Sequence, residues 1–162
     1  MVLGVGWERT LVLVKPDGVQ RGLIGEVVVR LERRGLRLAG IKLMRIDGAL
    51  AERQYAEHVG KPFYAELVGL MTAAPVVAMV WEGPSAVALV RSTMGATDPV
   101  AAAPGTIRGD LGLTLPANVV HGSDSAERGE VEVGLFFRAE ELVDWRGALD
   151  GWTGAGGAPP RS

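Results

Sequence analysis

Thr10-Leu11-Val12-Leu13-Val14 constrains the fold most, because a run this apolar offers water no polar face. It reads as a strand buried on both faces, in the core of a sheet. Lys15-Pro16-Asp17-Gly18 ends it with turn chemistry. Lys15 therefore stands where a core strand stops. That is a usual place for a ligand group in mixed α/β folds, and equally a place for a solvated lysine.

The elements that follow alternate in period. Leu23, Ile24, Val27, Val28 and Leu31 share a helical face, Glu26 and Arg30 pair outside it, and Gly35 closes the helix. Leu36–Ile46 reads as a long strand with a bulge near Gly40, broken at Asp47-Gly48. Ala49–His58 and Phe63–Met71 predict a helical hairpin, with Pro62 beginning its second arm. Tyr55, Phe63, Tyr64 and Leu67 gather there, either as core packing or as a platform for a flat ring. His58, beside Glu57, reads as a surface histidine. Val76–Trp81 predicts a third core strand ended by Glu82-Gly83-Pro84, and a helix opening near Ser85 carries Arg91 on its last exposed turn. Residues 94–109 read as a long loop holding Thr97 and Arg108, and loops of such length in a compact domain are commonly functional. A short helix from about Asp124 and a last strand at Val131–Phe137, with Glu132 on its alternate face, complete the pattern before an amphipathic extension, Glu140–Trp152.

This order is β-α-β-β-α-β with a helical-hairpin insertion and a long loop. It predicts an α+β, ferredoxin-like antiparallel sheet with one face covered by helices. Residues 1–153 are expected to form one domain, and the Gly/Ala/Pro-rich residues 154–162 a disordered tail.

Composition removes several chemistries. With no cysteine there is no disulfide framework, zinc-thiolate site or thiol catalysis. A net charge of -2 gives no global reason for strong nucleic-acid binding, although local arginines can still hold a small anion. No apolar run approaches the roughly 20 residues of a membrane helix. Met1–Trp7 lacks the basic start and the length of a signal segment, so a soluble, cytoplasmic protein is expected. There is no Gly-x-x-x-x-Gly-Lys-Ser/Thr loop and no protein-kinase signature. No His/Asp/Glu cluster has metal-ligand spacing, so no side-chain metal site is expected.

What remains is Asn118-Val119-Val120-His121-Gly122-Ser123-Asp124-Ser125, which holds one of only two histidines. Two β-branched residues suggest an extended approach to His121. Gly122 permits a sharp turn, and any of Ser123, Asp124 and Ser125 suits a helix cap. An imidazole beside free N–H donors suits an anion, and the octapeptide alone fits an ordinary turn with a surface histidine equally well.

The residues, taken together, resemble a family. Asn118-x-x-His121-Gly-Ser-Asp-Ser125 is similar to the active-site signature of nucleoside diphosphate kinases. So, in colinear order, are Glu8-Arg9-Thr10, Lys15 through Val19, Lys61-Pro62-Phe63-Tyr64, Met94 through Pro99 and Pro104 through Asp110. The resemblance spans roughly residues 8–145. It implies a ping-pong transfer in which Nδ1 of His121 takes the γ-phosphate of a nucleoside triphosphate and hands it to a nucleoside diphosphate. It implies that Ser123 and Glu132 orient the ring, and that Arg91, Thr97 and Arg108 grip phosphates. Lys15 and Asn118 resemble the pair contacting the sugar hydroxyl, and Tyr55 a residue near the phosphate end. Phe63 resembles the stacking side chain, with Leu67 in the wall, and stacking implies a broad base range. Mg²⁺ would enter bound to the phosphates. Hexamers, with tetramers as the alternative, are implied by the loop around Pro99 and by the C-terminal extension. Leu115-Pro116-Ala117 and Leu111 depart from the family pattern, and Leu115 is expected to line the base site. A nucleotide-binding relative without turnover, or a relay of phosphate to a protein partner, remain the rival readings.

Overall fold

The computed structural model of the chain describes residues 6–148 and 150–154. Four strands, β1 (Trp7–Val14), β2 (Arg37–Met44), β3 (Val76–Pro84) and β4 (Val120–Gly122), form one antiparallel sheet in the order β2-β3-β1-β4. β1 is interior, and all its residues except Glu8 are buried. Alternation along the strand explains this. Leu11 and Leu13 face a core built with Leu50, Tyr55, Met71 and Phe136. Val12 and Val14 face a second core built with Val27, Leu31, Val90 and Ile107.

Helices therefore cover both faces of the sheet, where the sequence suggested one. α2 (Ile24–Arg33), α5 (Ala86–Met94) and α6 (Ile107–Leu111) serve one core, and α3 (Gly48–Gln54), α4 (Tyr64–Ala73) and α7 (Ala126–Phe136) the other. Asp47 caps α3 by accepting from Leu50 N at 2.8 Å, and Glu26 pairs with Arg30 at 2.9 Å on α2. The bulge expected at Gly40 is present as a register shift between Leu38 and Gly40. The C-terminal arm docks on it, with Val143 N donating to Ala39 O at 2.8 Å and Trp145 Nε1 to Leu38 O at 2.7 Å.

Several elements differ from expectation. Pro16–Gln20 is a short helix, α1, and not only a turn; proline at its start lacks an N–H that would have gone unpaired anyway. β3 continues through Glu82, Gly83 and Pro84 because Glu82 is buried between two arginines. It accepts from Arg9 Nε and Arg37 Nη2, each at 2.9 Å. α4 begins at Tyr64, after Pro62. The 94–109 segment is not all loop: Asp98 caps a 3-10 turn at Pro99–Ala101, and Thr106 caps α6 by accepting from Gly109 N. Arg108 is therefore helical.

The largest correction concerns Val131–Phe137, expected as the last strand. These residues belong to α7 except for Phe137, its C-terminal cap. Gly129, Glu132, Val133 and Phe136 are buried at helical spacing while Val131 is 53% exposed, so the alternation of valines was coincidental with the helical stripe. The fourth strand is β4, three residues long and centred on His121, too short to betray itself by period. Of the C-terminal tail, residues 155–162 lie outside the described residues, as do 1–5 of the N-terminal segment.

Candidate active site

The site is assembled where β1 ends beside β4. Lys15 N donates to Val119 O at 2.8 Å, and Asp17 Oδ2 accepts from Val119 N at 2.9 Å. Both backbone groups of Val119 are thus tied to the start of α1, and the valine is held at φ 73. Gly18 makes the approach possible, since a Cβ there would lie 2.9 Å from Val119 O. The Lys-Pro-Asp-Gly run accordingly shapes the peptide that delivers His121. Gly122 serves close packing: its added Cβ would meet Met94 Cε and Sδ at 2.8 Å, and it lies within β4 with no left-handed turn.

His121 pairs across the sheet with Leu13 and keeps its side chain 24% exposed, at the floor of a cleft. Its Nε2 lies 2.8 Å from Oε2 of Glu132, which projects from α7 and is 2% exposed. An ionised carboxylate only accepts, so Nε2 carries the proton and Nδ1 keeps its lone pair. Burial pushes the Glu132 carboxyl up, but the hydrogen bond and charge of His121, with help from Ser123 and Gln54, outweigh it and hold the group below the ordinary range. Ser123 stands fully buried behind the histidine, its Oγ accepting from Leu11 N at 3.2 Å. The Tyr55 ring meets the imidazole edge-on at 6.2 Å, and burial, followed by the charge of Glu132, drives its hydroxyl pKa up.

Cations line the same cleft, which encloses about 450 Å³. Lys15 Nζ donates to Asn118 Oδ1 at 2.7 Å and to Pro116 O, while Asn118 Nδ2 donates to Thr97 O at 2.8 Å. Burial lowers the Lys15 ammonium to about 8; Asp17 opposes this and Arg108 adds to it. Arg108 is stitched to the carbonyls of Asn118, Gly95 and Val120 at 3.3, 3.1 and 2.8 Å. A guanidinium has five N–H groups, so others remain to face the cleft. Burial and then the charge of Arg91 lower its pKa to about 10. Two guanidinium groups lining one cleft supply the fixed donors and charge that suit a multiply charged anion.

Phe63 is 45% exposed, edge-to-face with His58 at 5.3 Å, and lines the cleft together with Leu67 and Leu115. All the residues singled out from the sequence line this one cleft except Ser123, which supports it from behind. His58 is a correction: it lines the cleft between Tyr55 and Phe63, at 6.3 Å from the former. Gln54, Asp124 and Arg128 also line it and were not anticipated. Asp124 lies within the histidine octapeptide and Arg128 in the helix that Ser125 caps, which was signal enough; Gln54 ends α3 among ordinary helical residues and gave none.

Comparisons with known proteins bear on the whole arrangement. A family model described as nucleoside diphosphate kinase matches residues 8–142. The chain is 61% identical over 145 residues to the nucleoside diphosphate kinase of Thermomicrobium roseum and 57% identical to that of Roseiflexus castenholzii, covering 90% of this chain and 97% of each relative. Among solved structures, a halophilic nucleoside diphosphate kinase from Halobacterium salinarum in complex with CDP superposes with a TM-score of 0.88 at 56% identity, covering 90% of this chain and 97% of that one. A nucleoside diphosphate kinase family protein from Babesia bovis gives 0.87 at 45% identity, covering 90% and 99%.

Proposed function

The chain belongs to the nucleoside diphosphate kinase family, and on that premise we propose that His121 is the group through which its phosphate passes. The activity is that of the family: the γ-phosphate of a nucleoside triphosphate moves to a nucleoside diphosphate in two ping-pong steps. The observation that carries the assignment is the 2.8 Å contact of His121 Nε2 with buried Glu132, which leaves Nδ1 as the nucleophile in a cleft lined by Lys15, Arg91 and Arg108.

In the first step the Nδ1 lone pair forms a bond to Pγ. The bond from Pγ to its bridging oxygen breaks, and its electrons leave on the β-phosphate of the departing diphosphate. The ring becomes cationic, and Glu132 faces that charge through Nε2–H. Arg91 and Arg108 offset charge on the phosphoryl oxygens, with Thr97 beside them. The second step is the reverse, the terminal oxygen of another diphosphate attacking the phosphohistidine. Lys15 and Asn118 orient the sugar, Tyr55 lies near the phosphates, and Phe63 stacks the base with Leu67 in the wall. Because a ring face does not read base edges, the base range is broad. The CDP held by the Halobacterium salinarum relative supports a nucleotide in this cleft.

Mg²⁺ arrives as part of the nucleotide substrate. The charged lining of the cleft sets Lys15, Arg91, Arg108 and Arg128 beside Glu57, Asp124 and Glu132, and among the described residues no group of three His, Asp or Glu side chains is placed to hold a metal. The chain is read as one domain acting in the cytoplasm within a hexamer, the loop around Pro99 meeting a neighbour, with a tetramer as the alternative. Among the described residues no helix is long and apolar enough to cross a membrane. Light scattering checks the assembly: a monomer mass refutes it.

Exposure to γ-labelled ATP tests the assignment. The wild type is expected to take up acid-labile label and release it to any nucleoside diphosphate, and His121→Asn to take up none. Normal transfer by His121→Asn refutes the assignment. Phosphate passed to a protein but to no diphosphate favours a relay.

A further inference from the structure

We infer that Gln54 is a positioning residue for phosphoryl transfer, its side-chain amide fixing the Glu132 carboxylate against His121. The inference rests on the reading of His121 as phosphate carrier. Gln54 is the last residue of α3 and is 2% exposed. A buried amide is costly unless it is bonded, so its partners explain its presence. Its Nε2 donates to Glu132 Oε2 and lies 3.2 Å from His121 Nε2.

The direction of these contacts follows from the carboxylate. A carboxylate oxygen accepts only, so the amide nitrogen faces it; the opposite orientation would set two acceptors together. Glu132 Oε2 then receives two donors, Gln54 N–H and His121 Nε2–H. Among the described residues the amide oxygen of Gln54 is buried without a hydrogen-bond partner, so the donor side sets the orientation. The backbone is tied to the same helix, since Arg128 Nη2 donates to Gln54 O at 2.8 Å. Gln54 is thus fastened at both ends to α7, the element that carries Glu132.

Charge decides why an amide suits this place. When Nδ1 bonds phosphorus the imidazole becomes cationic, and the negative Glu132 is its counter-charge. A cationic donor to Oε2 would compete for that charge, whereas a neutral donor aims the oxygen and leaves its charge available. The ionisable groups facing the pair are His121 from β4, Tyr55 beyond α3 and Arg128 from α7. Of these, His121 alone points a donor at Oε2 alongside Gln54.

The test is single-turnover labelling of His121 by γ-labelled ATP, from mildly acidic to alkaline pH, for the wild type, Gln54→Leu and Gln54→Glu. The leucine variant is expected to label about tenfold more slowly, with nucleotide affinity within about twofold of wild type. Gln54→Glu is expected to be slow in alkali, where two carboxylates repel. It should recover toward the wild-type rate as acid protonates the new carboxyl and restores a donor. If Gln54→Leu does not fold, Gln54→Met takes its place. Wild-type labelling by the apolar variant overturns the inference, as does an equal loss in apolar and Glu variants at every pH, which marks packing alone. A wild type that takes up no label overturns the reading of His121, and this inference with it.

Discussion

Gly129 offers a test of how the site is seated, because it lies where α7 crosses β1. An added Cβ would fall 2.6 Å from Arg9 O, a backbone atom that cannot swing aside, with Thr10 Cα at 3.5 Å. Ordinary contact begins at 3.4 Å, so in Gly129→Ala the helix must withdraw by about 0.8 Å. Overpacking of this kind costs about 1–3 kcal/mol. Alanine returns up to about 1 kcal/mol through its helix propensity. The clash outweighs this over most of that range, leaving a net loss of up to about 2 kcal/mol and a melting temperature lower by up to about 8 °C. Glu132 stands one turn further along the same helix. The same withdrawal stretches its 2.8 Å contact with His121 to about 3.6 Å, beyond hydrogen-bonding range. Loss of a charge-assisted bond of about 1.5–3 kcal/mol slows labelling of His121 by about ten- to a hundredfold. Nucleotide affinity changes little, since Lys15, Arg91 and Arg108 sit on other elements. Thermal unfolding and single-turnover labelling measure the two effects. A variant as stable and as fast as wild type refutes the argument that this contact seats the helix.

Other perturbations separate the remaining contributions. Lys15 is lowered from 10.5 to about 8, so the unfolded chain binds more protons between those values and stability of the nucleotide-free protein rises with pH across that window, by up to about 3 kcal/mol. Denaturant midpoints below pH 8 and near 10.5 follow the rise, and Lys15→Met should abolish it; a rise that survives in Lys15→Met contradicts the assignment. Phe63→Ala should raise the KM for purine and pyrimidine nucleotides alike by about tenfold, a loss within the 1–3 kcal/mol of one base stack, with folding nearly unchanged. Strong selectivity appearing in its steady-state kinetics counts against stacking. Glu82→Leu leaves Arg9 and Arg37 buried without their shared carboxylate and should lower stability by about 3–5 kcal/mol, seen as a displaced denaturant midpoint. A displacement under about 1 kcal/mol would mean that the other contacts of the arginines compensate for the carboxylate.

How much of this was legible depended on whether local pattern and tertiary context agreed. Thr10–Val14 and Val76–Trp81 announced themselves as strands because burial on both faces leaves continuous apolar runs. The α2 stripe and its Glu26–Arg30 pair were equally plain. Val131–Phe137 misled because valine alternation mimics a strand, while the decisive signal, Ser125 capping Arg128 N, lay upstream. The extent of β3 escaped because Glu82 looks like a strand terminator until Arg9 and Arg37, 73 and 45 residues away in sequence, are seen to hold it. At the site, the residues that resemble the family came together. Gln54 and His58 were silent because an amide and an imidazole acquire meaning only from what faces them.

Val119 carries a consequence of its own. A β-branched residue at φ 73 stores roughly 1–3 kcal/mol of backbone strain, two positions before the histidine. Its latches are the Lys15 amide and the Asp17 carboxylate, while Arg108 clasps the peptides on either side. Such a loaded segment has no comfortable half-released form. Once a latch opens, relaxation toward the ordinary β region carries the following strand, and His121 with it, off its register. Two residues proposed to hold the nucleotide, Lys15 through its backbone amide and Arg108 through its guanidinium, thus also keep the spring compressed, so on that proposal damage at either is transmitted mechanically to His121.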